Sequence, residues 1–393
     1  MGVRIIYTSP FEGYDMDEIR VEKVCNRQEM NDFLNITDKI YAGCSQYVPD
    51  MRSDVRAMFA SNDSSVSATT QTQPFVAYRG QEVVGRVVGV VNRKANETWK
   101  VRNVRFSMIE FIDDLAVSKA LLDAVAAWGK SLGMNHLQGP MGVTDYDKEG
   151  MLVEDFDLRG SMTAYYNPEY YPLHMEQLGL VKEADWLQVR IRIPKEVPAR
   201  YARTAQYVRE QFGLKVVKAP SHHEVQKGQY GPKIFKLLNE AFAPLFGFSA
   251  FSPVQAQKFL DKYVPLLKLD MVPLVENDQG ELVGIAVTMH SLTEALQKSR
   301  GRMWPTGWYH LLKSLKVKNE NNAEMLIIAV RPDYQGLGVN ALFFDDLIPI
   351  FNKYGIEWAE TGPQLEDNVR EISQWKPLHP EIVKRRRCWC RDI

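Results

Sequence analysis

The chain has 393 residues, 45% hydrophobic and 25% charged, and its 48 Lys plus Arg face 49 Asp plus Glu for a net charge of -1. That balance describes a soluble globular protein of about two domains, and it removes any composition-level case for nucleic acid or an anionic membrane as the main partner. Four cysteines make no disulfide framework, Met1 to Pro10 does not read as a signal peptide, and no apolar run approaches a spanning helix, so a cytoplasmic protein with no membrane span is expected.

In chain order, residues 61–73 are polar and Ser/Thr-rich, with one charge at Asp63, and predict a mobile loop. Residues 74–78 and 83–91 flank a polar turn containing Gly80 and predict a strand pair; residues 106–112 predict a third strand. Leu121, Leu122, Val125, Trp128 and Leu132 recur at helical spacing, and Gly133 ends that helix as a left-handed cap. A strand at 133–140 closing on Gly139-Pro140 follows, then a helix at 167–178 and a strand at 186–193. A helix over 199–212 joins this half to a second one with the same order of signals. There the strands are 271–275, 281–287 and 325–330, with Pro273 restricting its strand to an edge or an end. The following helix carries Phe343, Phe344, Leu347, Ile350 and Phe351, holds Pro349 inside it and stops at Gly355. A strand at 355–363 ends on Gly362-Pro363, and a helix at 366–375 and a strand at 383–393 complete the pattern. The expectation is a duplicated α/β (α+β) unit, each a mixed, largely antiparallel sheet flanked by helices, divided into 1–196 and 197–393.

The segment from Val330 to Asn340 is the sharpest chemical signal. A buried strand runs into a turn with Gly336 and Gly338 and then opens a helix. Glycines let the main chain approach a ligand, and free N–H groups at a helix start suit a phosphate or pyrophosphate. Neither the dinucleotide pattern nor a P-loop fits, since position 341 is Ala and no Gly-Lys-Ser/Thr occurs here. The first half has residues 111–116 in the same place, with no glycine and with Asp113 and Asp114, whose charges repel a pyrophosphate.

On Val330, Pro332, Gly336 and Gly338 the chain resembles the GNAT superfamily of N-acyltransferases, whose coenzyme A signature is Val-x-Pro-x-x-x-Gly-x-Gly/Ala. One form of that motif has Gln or Arg where this chain has Asp333. Nearly the whole chain resembles a bacterial group built as two GNAT-like units, through Tyr47-Val48-Pro49, Gln138-Gly139-Pro140-Met141, Asn167-Pro168-Glu169-Tyr170-Tyr171, Gly301-Arg302-Met303-Trp304-Pro305 and Leu365-Glu366-Asp367-Asn368. The resemblance implies that acetyl-CoA or another acyl-CoA serves as substrate, without a metal, and that an amine on a small molecule or peptide is the acceptor in a cleft between the halves. It implies a coenzyme site at Ala329, Val330, Gln335, Gly336, Leu337, Gly338, Val339 and Asn340, with Asn368 on the pantetheine arm and Glu324 as general base. The residues alone leave Glu324 as a solvated strand-end carboxylate and Asn368 as a helix cap. Where relatives have a tyrosine that protonates the departing thiolate this chain has Trp375, leaving water, Tyr334 or His379 for that role. The alternatives are a GNAT-derived binding or regulatory protein without turnover, and a transferase whose donor is acyl carrier protein or aminoacyl-tRNA.

Other features read as structure. The insertion 291–322 carries Trp304, Trp308 and Tyr309 beside Arg300, Arg302, Lys313, Lys316 and Lys318; the rings either line a pocket or, as large aromatics favour, pack the insertion onto the sheet. Lys384 to Arg387 reads as a solvated face. Cys388-Trp389-Cys390 lacks a second ligand pair at zinc spacing, and His222-His223-Glu224 sits in a loop with no distant partner. The acidic stretch Asp145, Asp147, Glu149, Glu154, Asp155 and Asp157 fails the calcium-loop pattern and reads as an acidic loop beside the cleft.

Overall fold

The computed structural model describes residues 18–59, 69–144, 146–317 and 320–393. Met1 to Pro10, most of the polar loop 61–73, Asp145 and Lys318 lie outside the described residues. The first half runs β1 (Ile19–Lys23), α1 (Arg27–Ile40), α2 (Arg52–Met58), β2 (Thr70–Arg79), β3 (Glu82–Asn92), α3 (Arg93–Trp99), β4 (Asn103–Phe111) and α4 (Leu115–Ser131). It continues with β5 (His136–Gly139), β6 (Met151–Leu152), α5 (Tyr170–Gln177) and β7 (Val181–Arg192). The second half opens with α6 (Ala199–Phe212), β8 (Lys215–Val217), α7 (His222–Gln226), α8 (Tyr230–Phe242), α9 (Pro253–Tyr263), β9 (Leu274–Glu276) and β10 (Leu282–His290). It ends with α10 (Thr293–Ser299), α11 (Gly307–Lys316), β11 (Asn322–Val330), α12 (Asn340–Lys353), β12 (Trp358–Thr361), β13 (Gln364–Leu365), α13 (Val369–Ser373) and β14 (Glu381–Asp392).

The repeated core order is present in both halves: a β-meander, a parallel pair, and a helix between the paired strands. α4 and α12 stop where the sequence predicts, with Gly133 at φ 83° and Gly355 at φ 69° just beyond their caps. Each helix lays its apolar stripe on its own meander. Leu121, Leu122 and Val125 join Val84, Val87 and Phe106 in one core; Phe343, Phe344 and Leu347 join Val283, Ala286 and Met325 in the other. Each fully buried side chain of this size stabilises the fold by about 1.5–3 kcal/mol.

Several boundaries differ from the sequence reading. Residues 70–73 belong to β2, not to the loop, because their backbone pairs with Gly89 to Asn92. Met271 ends a 3-10 turn and β9 begins only after Pro273, which keeps the proline at the strand's start. His222 and His223 lie in α7 rather than a loop, and His222 Nε2 is spent on the Leu267 carbonyl at 2.9 Å.

The two halves share one sheet, in the order β1-β2-β3-β4-β5-β14-β7-β12-β11-β10-β9-β8. Their closing strands are exchanged. β14, from the end of the second half, lies between β5 and β7 of the first, and β7 in turn pairs with β12. The basic run is therefore not a solvated face. Lys384 is 1% and Arg386 0% exposed within β14; Lys384 pairs with Glu360, Arg386 Nε donates to Gln188 Oε1 at 2.9 Å, and Arg385 and Arg387 both reach Asp185. A buried charge must be paired or hydrogen-bonded: Glu360 on β12 pairs with Lys384, and Arg386 is held by Gln188 on β7 and by the Tyr165 carbonyl.

Candidate active site between splayed strands

β11 and β12 are parallel but pair only at their starts, from Asn322–Trp358 to Met325–Thr361. Beyond that point they part: β11 continues to Val330, while the chain after Thr361 turns so that β13 pairs with β7. Gly362 N donates to Met325 O at 3.0 Å and closes the fork. The edge of Leu326 to Val330 on this side has no strand partner among the described residues, and an unpaired main-chain edge is one an extended ligand can use.

At the far end of β11 the glycine corner has the geometry a helix-start anion site needs. Gly336 (φ 81°) and Gly338 (φ 90°) adopt the left-handed conformation that glycine takes at no steric cost. A Cβ on Gly338 would also lie 2.7 Å from Thr204 Cγ2 of α6. The amides of Tyr334, Gln335 and Leu337 are spent on the carbonyls of Arg331, Pro332 and Tyr334. Those of Gly336, Gly338, Val339 and Asn340 have no acceptor among the described residues, and α12 has no side-chain cap. Four free donors thus sit at the positive end of a 14-residue helix. Gln335 Nε2 donates to Val330 O at 3.0 Å and fixes the turn onto the strand. Asp333 is held by Arg331 Nε at 2.7 Å and Nη2 at 2.9 Å, and the guanidinium keeps its carboxyl below the usual carboxylate range.

Glu324 is not solvated: it is 2% exposed, third in β11. Its Oε1 accepts from Ser291 Oγ at 2.9 Å, whereas its Oε2 is buried without a hydrogen-bond partner. Glu360 lies in register beside it, satisfied by Lys384 and by Arg190 Nη2 at 3.2 Å. Burial first, then the Glu360 charge, push the Glu324 carboxyl up to about 7. Tyr334 is six strand positions and a turn away, near the glycines. Its hydroxyl accepts from Asn277 Nδ2 at 3.4 Å, and the Arg331 guanidinium carbon lies 4.8 Å from its ring centroid.

The fork opens into a cavity of about 1970 Å³ that both halves line, above the range of ~300–1,000 Å³ common for small-ligand sites. Tyr334, Gly336, Gly338, Val339 and Asn340 form one end; Ser107, Met108, Asp147 and Tyr165 of the first half form another wall. Between α8, α9 and the sheet lies an apolar chamber of Phe235, Leu238, Phe242, Leu260, Ile285 and Ile327. Sequence reasoning missed this chamber because the helices that roof it, α8 and α9, were not foreseen. It also missed Glu371, a cavity-wall carboxylate on α13 that burial pushes up to about 7. Only its place three residues after Asn368 could have signalled it: Asn368 Oδ1 caps Glu371 N at 3.3 Å. Asn368 is therefore a helix cap, and it also lines the cavity. Glu324 stands behind the wall formed by Met289, Met325 and Thr361; Leu337 and His379 are also off it, His379 being exposed. Trp375 is fully buried against Phe344, and its Nε1 donates to Gln364 Oε1 at 3.2 Å.

Among the described residues, His136, Glu183 and Cys390 form the one grouping with metal-ligand atoms within 4.8 Å of one another. His136 Nδ1 is already engaged by Asp392 at 2.8 Å, and the grouping lies on β5, β7 and β14 rather than on the splayed strands.

No family model matches the chain. It is 24% identical over 387 residues to Protein YghO of Escherichia coli K12, covering 95% of each, and 23% identical over 333 residues to the bacterial ceramide synthase of Caulobacter vibrioides, covering 83% of this chain and 84% of that one. Among solved structures, a tandem GNAT protein from the clavulanic acid biosynthesis pathway superimposes with a TM-score of 0.55 at 12% identity, covering 95% of this chain and 98% of that one. A GCN5-related N-acetyltransferase from Sphaerobacter thermophilus does so with a TM-score of 0.51 at 10% identity, covering 95% of each chain. The fold is that of a tandem GNAT protein, and no helix among the described residues is long and apolar enough to cross a membrane.

Proposed function

We propose that the protein is an acyl-CoA-dependent N-acyltransferase whose coenzyme binds the second half, residues 197–393, and whose amine acceptor carries a long apolar group. One observation carries the reading: a single cavity joins four unspent amides at Gly336, Gly338, Val339 and Asn340 to an apolar chamber. A diphosphate held at those amides and a reaction near Glu324 are about 20 Å apart along β11. A ligand spanning both must be long and extended along the open strand edge, as the pantetheine arm of coenzyme A is. The ceramide synthase from Caulobacter, by its name, makes an N-acylated lipid amine, and the chamber offers room for such a chain.

In this reading Glu324, acting through a water because Met289, Met325 and Thr361 stand between it and the cavity, or Glu371 directly from the wall, removes a proton from the acceptor ammonium. The freed amine attacks the thioester carbonyl, a C–N bond forms, the nitrogen gives its second proton to solvent, the C–S bond breaks, and the thiolate takes a proton from solvent. Trp375 cannot supply it, because indole is no acid in this range and its N–H is bonded to Gln364. In this reading Tyr334, beside the free amides, lies with the phosphates rather than with the thiolate.

Isothermal titration with coenzyme A, followed by thiol release from acyl-CoAs of graded length with long-chain amines such as sphinganine, tests the proposal. One coenzyme per chain and turnover that rises with tail length are expected. Absence of binding at millimolar coenzyme by folded protein overturns it, and binding without turnover across the panel leaves a non-catalytic binding protein.

A further inference from the structure

The balanced net charge conceals a local imbalance. Between residues 295 and 319 the sequence has six basic residues and no acidic one. This is the insertion before β11, and its aromatic side chains do not pack it onto the sheet, contrary to the sequence expectation. Within 303–317, Met303, Trp304, Trp308, Tyr309, Leu312 and Val317 are all exposed, Trp304 to 76% and Val317 to 79%. Single exposed apolar residues are ordinary, but six in one short segment are a patch. Of α11 only Gly307 and Ser314 are buried.

The patch is continuous with the cavity. Met303, Trp308 and Leu312 both line it and face solvent, as do Met58 of α2 and Tyr263 of α9. Leu311 and Leu315, on the inner side of α11, line it as well. On the outer side Tyr309, Lys313 and Lys316 follow at helical spacing, with the Lys313 ammonium 5.8 Å from the Tyr309 ring centroid. Lys298 and Arg302 are paired with Glu294 and Asp38, whereas Arg300, Lys313 and Lys316 have no ion-pair partner among the described residues.

We propose that α11 and the segment before it dock the protein on the surface of an anionic lipid bilayer, with the cavity mouth facing the lipid. Tryptophan and tyrosine settle at the level of the headgroups, leucine and valine reach the acyl boundary, and lysine and arginine meet the headgroup phosphates. A protein partner would not need the patch to run on into a cavity with apolar walls, whereas a lipid leaving the bilayer does. Docking itself does not depend on the acyl-transfer reading and is tested without substrate.

The test is co-sedimentation of the full chain with extruded vesicles of equal parts phosphatidylglycerol and phosphatidylcholine, and with pure phosphatidylcholine. The wild type should pellet with the anionic vesicles, more weakly as salt is raised, with a blue shift of tryptophan emission. Each basic residue near such a surface strengthens binding roughly fivefold, so Lys313→Glu with Lys316→Glu should weaken it by well over tenfold. Trp304→Ala with Trp308→Ala should weaken it about tenfold or more. Wild-type protein that stays in the supernatant with both vesicles overturns the proposal, as do both double variants, shown folded by circular dichroism, binding like wild type. Self-association through α11 without vesicle binding overturns it too, by assigning the patch to a second copy.

Discussion

The two halves build the same fork and use it in opposite ways. By strand register, Asn103 to Arg105 against His136 to Gln138 correspond to Asn322 to Glu324 against Trp358 to Glu360. In the first half, Arg105 stands where Glu324 stands in the second, and it is buried as a structural donor to the carbonyls of Gly142 and Gly247 at 3.1 and 3.0 Å. The first fork is plugged at its far end: Tyr171 Oη accepts from Phe111 N at 2.8 Å and Tyr170 Oη donates to Phe111 O at 2.7 Å. At the helix start, Asp114 accepts from Ala116 N at 2.8 Å, occupying with its own carboxylate the place of an external anion. A fold therefore does not imply a site; the site is what the second half leaves unsatisfied.

The largest expected effect comes from closing the open fork. Gly338→Asp puts a Cβ against Thr204 and an anion beside the free amides, so coenzyme A affinity should fall by at least about 100-fold, equivalent to about 2.7 kcal/mol, while circular dichroism is unchanged. Calorimetry reads this directly, and retained affinity would remove the distinction between the halves. Next, Glu324→Gln should lower kcat by roughly 10²–10³-fold with KM little changed, and Glu371→Gln by much less; the reverse ranking would move the base to the wall. The pH profile sharpens the same point. The carboxylate is the active form and burial raises its pKa, so kcat/KM should drop about tenfold per unit below pH about 7 and level off above it. Glu324→Gln should abolish that limb.

In the closed fork the effects are on stability. Tyr171→Phe removes the acceptor of Phe111 N and one of the two tyrosine donors to Glu110 Oε2, at 2.8 Å, the other being Tyr41 at 2.7 Å. It should cost about 1–3 kcal/mol by denaturant titration, with coenzyme binding unchanged. The smallest effect is expected at Asp333, which Arg331 already neutralises. Asp333→Gln should alter coenzyme affinity by less than about threefold by calorimetry, because main-chain donors make the site.

The parts of this architecture legible in the sequence are those encoded locally. The glycine corner is one, since a strand, two spaced glycines and a helix start are all within eleven residues. The two helices with their glycine stops are another. Pairings across long stretches of chain left no local trace. Nothing near Lys384 announces that β14 will sit between β5 and β7, so a run of basic residues looked solvated. Trp304 and Trp308 misled in the opposite direction: large rings usually signal packing, and here both are exposed, Trp308 on the rim of a cavity whose roof comes from helices elsewhere. Glu324 was legible in position but not in environment, because its burial is set by Ser291 and by Glu360, neither near it in sequence.

The exchange of closing strands has a consequence for how the molecule is made. While synthesis has not passed residue 381, the first half lacks the strand that separates β5 from β7, and the gap runs the length of a twelve-residue element in the middle of the sheet. The halves cannot mature one after the other on the ribosome as independent domains do. Nascent chains must hold β7 and the edge of β5 unpaired until the final insertion, a period in which bare strand edges invite chaperones or other copies. A chain shortened before β14 should therefore fail in both halves at once, including the one whose fork is plugged.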